Sequence, residues 1–175
     1  MLELFLLNCG IQPAFYQSEY AQYWQDAMFD NPELESFQPD LIFIHTTSRN
    51  ITEAPLPLSA SEQEVRDALE RQFSHFSQMW ERLHEVYHCP IIQNNFELPS
   101  TRLMGNRDAW DCHGMVWFIQ ELNRKFGQYA ASHSDFYLHD LHYLAASYGL
   151  DAWHDDSYWY PVSYTHLTLP TTPYV

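Results

Sequence analysis

The chain has 175 residues, of which 46% are apolar and 18% are charged, a composition typical of one globular domain and not of a disordered chain. Its formal net charge of −15 argues against nucleic acid and against an anionic membrane as partners. The sequence has three scattered cysteines, no apolar run of about 20 residues and no signal-peptide pattern, so we expect a cytoplasmic protein with reduced thiols.

The first part of the chain alternates between predicted helices and strands. The first helix ends where Gly10 permits a positive φ and Pro13 prevents continuation. The run at 41–45 is continuously apolar, which is typical of a buried parallel strand. The predicted helices are 2–9, 20–29 and 32–38, and the predicted strands are 14–18 and 41–45.

The second part begins with a long amphipathic helix. Ser59 and Glu62 have the spacing of a capping box that opens it. Its apolar residues recur every three or four positions: Val65, Leu69, Phe73, Phe76, Trp80, Leu83 and Tyr87. Strands are then predicted at 89–93 and 135–138, and helices at 108–131 and 139–148.

Repeated strand–helix units predict a parallel sheet with helices on both faces, a three-layer α/β/α sandwich. Sheets of this kind usually begin with a central strand, whereas this chain begins with a helix. We therefore expect the first strand of the domain to lie upstream of Met1.

Polar residues follow three of the predicted strands. Ligands of such sheets bind beyond the carboxyl ends of the strands, and the residues expected there are Thr47, Arg49, Asn50, Asn94, Asn95, His139 and Asp140. The alternative for the hydroxyl residues of this region is ordinary capping of loops and helix ends. Arg49 is suited to an anionic group such as a phosphate.

A metal site is a further alternative, because His139 and His142 are three residues apart with Asp140 between them. No Cys or Glu at ligand spacing completes that set. We therefore expect no metal in this chain.

Three segments together resemble a known family: "FYQSEYAQYWQDAMFDNPELESFQPDLIFIHTTSRNI", "GNRDAWDCHGMVWFIQELN" and "DFYLHDLHYLAASYGLDAWHDDSYWYP". They are similar to the N-terminal domain of FkbH-like proteins, of the haloacid dehalogenase superfamily, subfamily IIIC. The resemblance implies an SGNH-hydrolase-like fold of flavodoxin-like topology, followed by a phosphatase-like domain that holds Mg²⁺. It also implies an enzyme that loads a glyceryl or related acyl unit from a phosphorylated donor onto the thiol of an acyl carrier protein.

The resemblance also implies roles for two residues. Asn50 matches the position whose amide contributes to the oxyanion hole of SGNH enzymes, and Asp156 matches their acid position. The nucleophilic serine of those enzymes would lie upstream of Met1, and no His follows Asp155 or Asp156 at the spacing of the family's Asp-x-x-His. We therefore expect a domain that binds or positions a small phosphorylated or acyl substrate, with no cofactor of its own. The alternative is an SGNH-type esterase or acyltransferase acting in its own right.

The last residues have a different character. "VSYTHLTLPTT" at 162–172 is similar to the translation of a sequencing-library adapter. We interpret 1–161 as the domain and 162–175 as a non-native tail.

Overall fold

A computed structural model of the protein describes residues 2–19 and 22–154. Its α-helices are α1 (Leu2–Asn8), α2 (Tyr23–Met28), α3 (Pro32–Phe37), α4 (Glu62–Tyr87), α5 (Met115–Ser132), α6 (Leu141–Tyr148) and α7 (Leu150–Trp153). The strands are β1 (Ile42–Ile44), β2 (Ile91–Asn94) and β3 (Phe136–His139). Short 3-10 helices lie at Ser48–Asn50 and Gly105–Ala109.

The three strands form one parallel sheet in the order β1-β2-β3. Ile44 of β1 is opposite Gln93 of β2, which in turn is opposite Leu138 of β3. Parallel strands require crossover connections, and α4 and α5 supply them. The predicted α/β fold with a parallel sheet is confirmed. Asp156 and the predicted tail at 162–175 lie outside the described residues.

The core lies between one face of the sheet and the helices α4 and α5. The apolar stripe predicted for α4 is confirmed, since five of its seven residues are buried: Val65, Leu69, Phe76, Trp80 and Leu83. The ring of Trp80 is 4.8 Å from that of Phe126 on α5 and 4.6 Å from that of Phe136 on β3. Aromatic contacts at these distances join the helix layer to the sheet.

The other face of the sheet is more open. Phe43, Ile92 and Tyr137 are paired across the three strands, and they alternate with residues that face the core. Phe43 is 55% exposed and Tyr137 is 52% exposed. Across the described ranges, no helix is long and apolar enough to cross a membrane.

The segment 14–18, predicted as a strand, is not in a strand. Its side chains bond to residues of α2 and to the start of α3. Tyr16 and Ser18 donate to the carboxylate of Asp26, and Asn31 donates to the Tyr16 hydroxyl. Extended backbone forms a strand only when the backbone of another strand pairs with it. The contacts of this segment are made by side chains, so it is not part of the sheet.

Two predicted helix starts are also displaced. The capping box of α4 is formed by Ser61 and Glu64, two residues after the predicted pair, because the side chain of Ser61 reaches the Glu64 amide. The helix predicted from 108 begins at Met115. Asp108 instead lies before it, where its carboxylate accepts from Val116 N–H at 2.8 Å and from Met104 N–H at 3.1 Å.

The capping by Asp108 brings its backbone against Gly114. A Cβ added at Gly114 would lie 2.1 Å from the carbonyl oxygen of Asp108, a distance at which the backbone must move. At Gly127, in the middle of α5, no atom lies within 4 Å of the corresponding position apart from its chain neighbours and the backbone of its own helix.

Gly114→Ala should therefore lower the free energy of unfolding by about 2 kcal/mol, because overpacking forces the Asp108 turn away from α5. Gly127→Ala should raise it by about 0.5–1 kcal/mol, because alanine is the better helix former. Urea unfolding of both variants and the wild type measures the two effects. Equal effects of the two substitutions would contradict the close approach at Gly114.

Candidate functional site at the carboxyl ends of the strands

The ends of β1 and β2 are joined by the side chain of Asn94, which is fully buried. Its Oδ1 accepts from Thr46 N–H at 2.8 Å, and its Nδ2 donates to the Thr46 carbonyl at 2.6 Å. The amide thus bonds both backbone groups of a residue that follows β1, as a neighbouring strand would. Asn94 holds the β1 loop in place, and its polar atoms point at its own chain.

Gln93 reinforces the same junction from the core side. Its Nε2 donates to Thr46 Oγ1 at 2.9 Å, and its Oε1 accepts from the indole N–H of Trp80 at 3.1 Å. All three residues are buried. Sequence analysis did not single out Gln93, although an amide inside an otherwise apolar strand indicates a buried hydrogen-bonding partner.

Asn95 joins the end of β2 to the start of α6. Its Nδ2 donates to Asp140 Oδ1 at 2.8 Å and its Oδ1 accepts from His142 N–H at 2.8 Å. Asp140 also caps α6 by accepting from Tyr143 N–H. The hydrogen bond from Asn95 lowers the pKa of Asp140, which keeps this carboxylate ionised.

The turn after β1 contains the other predicted residues. Asn50 Oδ1 accepts from Thr47 N–H at 2.9 Å, and its Nδ2 donates to the Tyr23 hydroxyl at 3.4 Å. Ser48 Oγ donates to Glu97 Oε1 at 2.8 Å. Arg49 is exposed on the same turn. The turn thus places Arg49 at the surface, with Thr47 and Asn50 closing the turn beneath it.

His139 lies on the open face, with His45 near it. Each ring centroid is 6.3 Å from that of Phe43. Burial lowers the pKa of His45, and the charge of His139 lowers it further. Both imidazoles therefore lie at the carboxyl-end margin of the apolar row formed by Phe43, Ile92 and Tyr137.

The structure thus brings together the three segments that the sequence predicts for this edge. Hydrogen bonds join Thr47 to Asn50 and Asn95 to Asp140, and the N–H of Asn95 donates to the His139 carbonyl. Asn94 bonds to Thr46. Sequence analysis missed Glu97 and Asn123. The amide of Asn123 on α5 pairs with the N–H and carbonyl of Phe96, which no local pattern indicates.

A possible metal-binding group in the described ranges is Asp111, Cys112 and His113, whose ligand atoms lie within 4.8 Å of one another. All three residues already have hydrogen-bonding contacts, since Cys112 Sγ lies 3.5 Å from His113 Nδ1. His113 Nδ1 is 2.8 Å from Asp111 Oδ1, and its Nε2 is 2.9 Å from the Ala60 carbonyl oxygen. The imidazole links the loop before α4 to the start of α5. His142, of the predicted His139–His142 pair, contacts Asn123 through Nδ1.

The fold and the site define a class, an α/β domain with a parallel sheet and a polar cluster at the carboxyl ends of its strands. The family model described as FkbH, N-terminal domain, matches residues 7–175, and the chain belongs to that family. None of the curated proteins matches it.

One solved structure has the same fold, the N-terminal part of the protein BF1531 from Bacteroides fragilis, described as containing a phosphatase domain complexed with Mg. It superposes with a TM-score of 0.72 at 14% sequence identity, over 88% of this chain and 39% of that chain. The chain therefore spans well under half of the length of that relative.

Removing the Asn94 side chain tests its role in holding the backbone of Thr46. Asn94→Ala leaves the N–H and carbonyl of Thr46 buried without their partner, which should cost about 2–4 kcal/mol in the free energy of unfolding. The exposed Asn106 is the control, and Asn106→Ala should change it by less than about 0.5 kcal/mol. Chemical denaturation gives both values, and similar values for both variants would contradict a structural role for Asn94.

The His113 link predicts a pH dependence. Its hydrogen bonds to the Ala60 carbonyl and to Asp111 raise the pKa of His113, and the bond to His113 lowers the pKa of Asp111 to about 2. Protonated His113 therefore stabilises the fold below the ordinary histidine pKa of about 6.5, and this contribution is lost as pH rises through the raised pKa.

The difference in Tm between wild type and His113→Gln should accordingly be largest near pH 5 and shrink by about pH 9. Thermal unfolding followed by circular dichroism measures it, with His84→Gln, an exposed histidine on α4, as control. A difference that does not change with pH would show that His113 acts only through packing.

Proposed function

We propose that this chain is a substrate-positioning domain of an enzyme that loads a glyceryl or related acyl unit from a phosphorylated donor onto the thiol of an acyl carrier protein. In this proposal the domain has an SGNH-hydrolase-like fold, and the chemistry belongs to a Mg²⁺-dependent phosphatase-like domain of the haloacid dehalogenase superfamily, subfamily IIIC. Membership of the FkbH family supports it, as does a structural relative described as containing a phosphatase domain with Mg. We expect the protein to act in the cytoplasm.

The observation that carries the positioning role is the use of the amides at the site. An oxyanion-hole donor must point at the position where negative charge develops. Asn50 Nδ2 instead points at the hydroxyl of Tyr23, and the amides of Asn94 and Asn95 bond to Thr46 and Asp140. Amides engaged in this way fix the loops that surround a ligand and contribute little to catalysis directly.

The residues proposed to contact substrate are those on the surface of this framework. Arg49 is exposed on the turn after β1 and suits a phosphate, because a guanidinium can donate two parallel hydrogen bonds to it. Thr47 lies beside it, and His139 and Asp140 lie at the end of β3. Asp156, the proposed remnant of an acid position, stays a prediction.

The alternative is an SGNH-type esterase or acyltransferase that uses Asn50 as an oxyanion-hole donor. The two proposals differ in what Asn50 and Arg49 should do. For a positioning domain Arg49 matters for affinity and Asn50 does not support turnover. For an esterase the loss of Asn50 should reduce turnover of an ester.

Titration calorimetry with 3-phosphoglycerate and hydrolysis of p-nitrophenyl acetate test the proposal on the whole chain. We expect 3-phosphoglycerate to bind, and Arg49→Ala to weaken binding about tenfold, since a charge-assisted hydrogen bond is lost. Arg102→Ala, at another exposed arginine, should leave binding unchanged. We expect no ester turnover above the uncatalysed rate.

Absence of 3-phosphoglycerate binding to the wild type would overturn the proposed role of Arg49. Ester turnover that falls in Asn50→Ala would favour the esterase in place of the positioning domain.

A further inference from the structure

Two buried side-chain atoms lack a hydrogen-bond partner in the parts of the chain that the structure describes, Nε2 of His45 and Oε2 of Glu97. Both lie at the carboxyl-end edge of the sheet. His45 directly follows β1, and Glu97 bonds to Ser48 in the next turn. Because buried polar atoms are nearly always paired, two unpaired atoms at the edge where such sheets bind ligands indicate a site.

Glu97 is the more informative of the two. Its side chain is largely enclosed, with 5% of the residue exposed. Its Oε1 accepts from Ser48 Oγ at 2.8 Å and from Ser48 N–H at 3.3 Å, so one oxygen receives two donors. Its Oε2 receives none.

Neither protonation state of Glu97 removes the unpaired atom. An ionised carboxylate leaves a charged oxygen buried without a donor, which is costly in an apolar environment. A proton on Oε2 would turn the same atom into a buried donor without an acceptor. A group from outside the chain that brings hydrogen-bond donors and a positive charge would both pair with Oε2 and compensate the buried negative charge.

We propose that Glu97 and Ser48 form a binding site for a small ligand that carries a primary ammonium group. The ammonium donates to Glu97 Oε2, the atom left unpaired. It also donates to Ser48 Oγ, whose own proton is given to Glu97 Oε1 and whose lone pairs accept. Ser48 is partly exposed whereas Glu97 Oε2 is enclosed, so in this proposal the turn that carries Ser48 moves to admit the ligand.

The electrostatics of the chain favour a cation at this position. The net charge of −15 raises the local concentration of cations at the surface. His45, three residues before Ser48, has its pKa lowered mainly by burial, so its imidazole is neutral and does not oppose a bound ammonium. The site does not depend on the proposed loading activity and uses residues other than Arg49 and Asn50.

Saturation-transfer NMR with ethylammonium chloride on the whole chain tests the site. We expect a saturation-transfer response with the wild type, a loss of about tenfold or more with Glu97→Gln, and a weaker response with Ser48→Ala. Glutamine keeps the oxygen that accepts from Ser48 and puts an uncharged NH2 group, a donor and not an acceptor, in place of Oε2. Glu85→Gln makes the same charge change at an exposed position of α4 and should retain the full response.

Three results would overturn the proposal. The first is no response with the wild type, and the second is an equal response with wild type and Glu97→Gln. The third is an equal response with ethanol, which has the hydroxyl but no charge. Should Glu97→Gln fail to give a folded protein by circular dichroism, Ser48→Ala alone decides, and an unchanged response would then refute the site.

Discussion

The pairing of the Asn94 side chain with the backbone of Thr46 is the contact on which this end of the domain depends. β1 is only three residues long, and it ends where the chain must turn away from the sheet. The amide of Asn94 satisfies the backbone groups of Thr46 after the strand has ended, inside the core, where no water replaces them. The direction of the turn that carries Arg49 and Asn50 follows from this bond.

Side-chain amides also bond to loop backbone in other parts of the molecule. Asn123 bonds the N–H and carbonyl of Phe96 from α5, and Gln72 of α4 accepts from the N–H groups of Thr52 and Glu53. In each case a long helix supplies one carboxamide, which carries both a donor and an acceptor. The helices thereby fix the loops at the carboxyl-end edge as well as forming the core.

The parts of the fold that could be predicted from the sequence are those governed by a repeating pattern. The stripe of α4 reflects burial, which acts on every turn of the helix. The apolar run at 41–45 predicts the strand β1 but not its burial, because Leu41 is 51% and Phe43 is 55% exposed. The convergence of Asn94, Asn95 and Asp140 also follows from topology, because parallel strands end at a common edge. The start of α5 could not be predicted, because it depends on Asp108 reaching forward to Val116. A single contact of this kind produces no repeating pattern in the sequence.

The role of an amide is harder to predict than its position. The sequence places Asn50 and Asn94 at the ligand edge, but the same side chain serves a substrate or its own backbone depending on what lies within 3 Å. That distance is a property of tertiary packing. Glu97 is a residue that the sequence does not single out at all. Nothing in residues 94–99 indicates that its carboxylate is buried with only one oxygen hydrogen-bonded.

The polarity of the open face of the sheet changes along its strands. Phe43, Ile92 and Tyr137 form its apolar middle, and His45 and His139 lie toward the carboxyl ends. Residues on one face of a strand are about 6.6 Å apart, so the surface changes from hydrocarbon to imidazole within a single side-chain spacing. A helix packed against this face would therefore have to place apolar residues over the rings of Phe43 and Tyr137 and polar residues over the two histidines, and only one direction of the helix would meet both conditions.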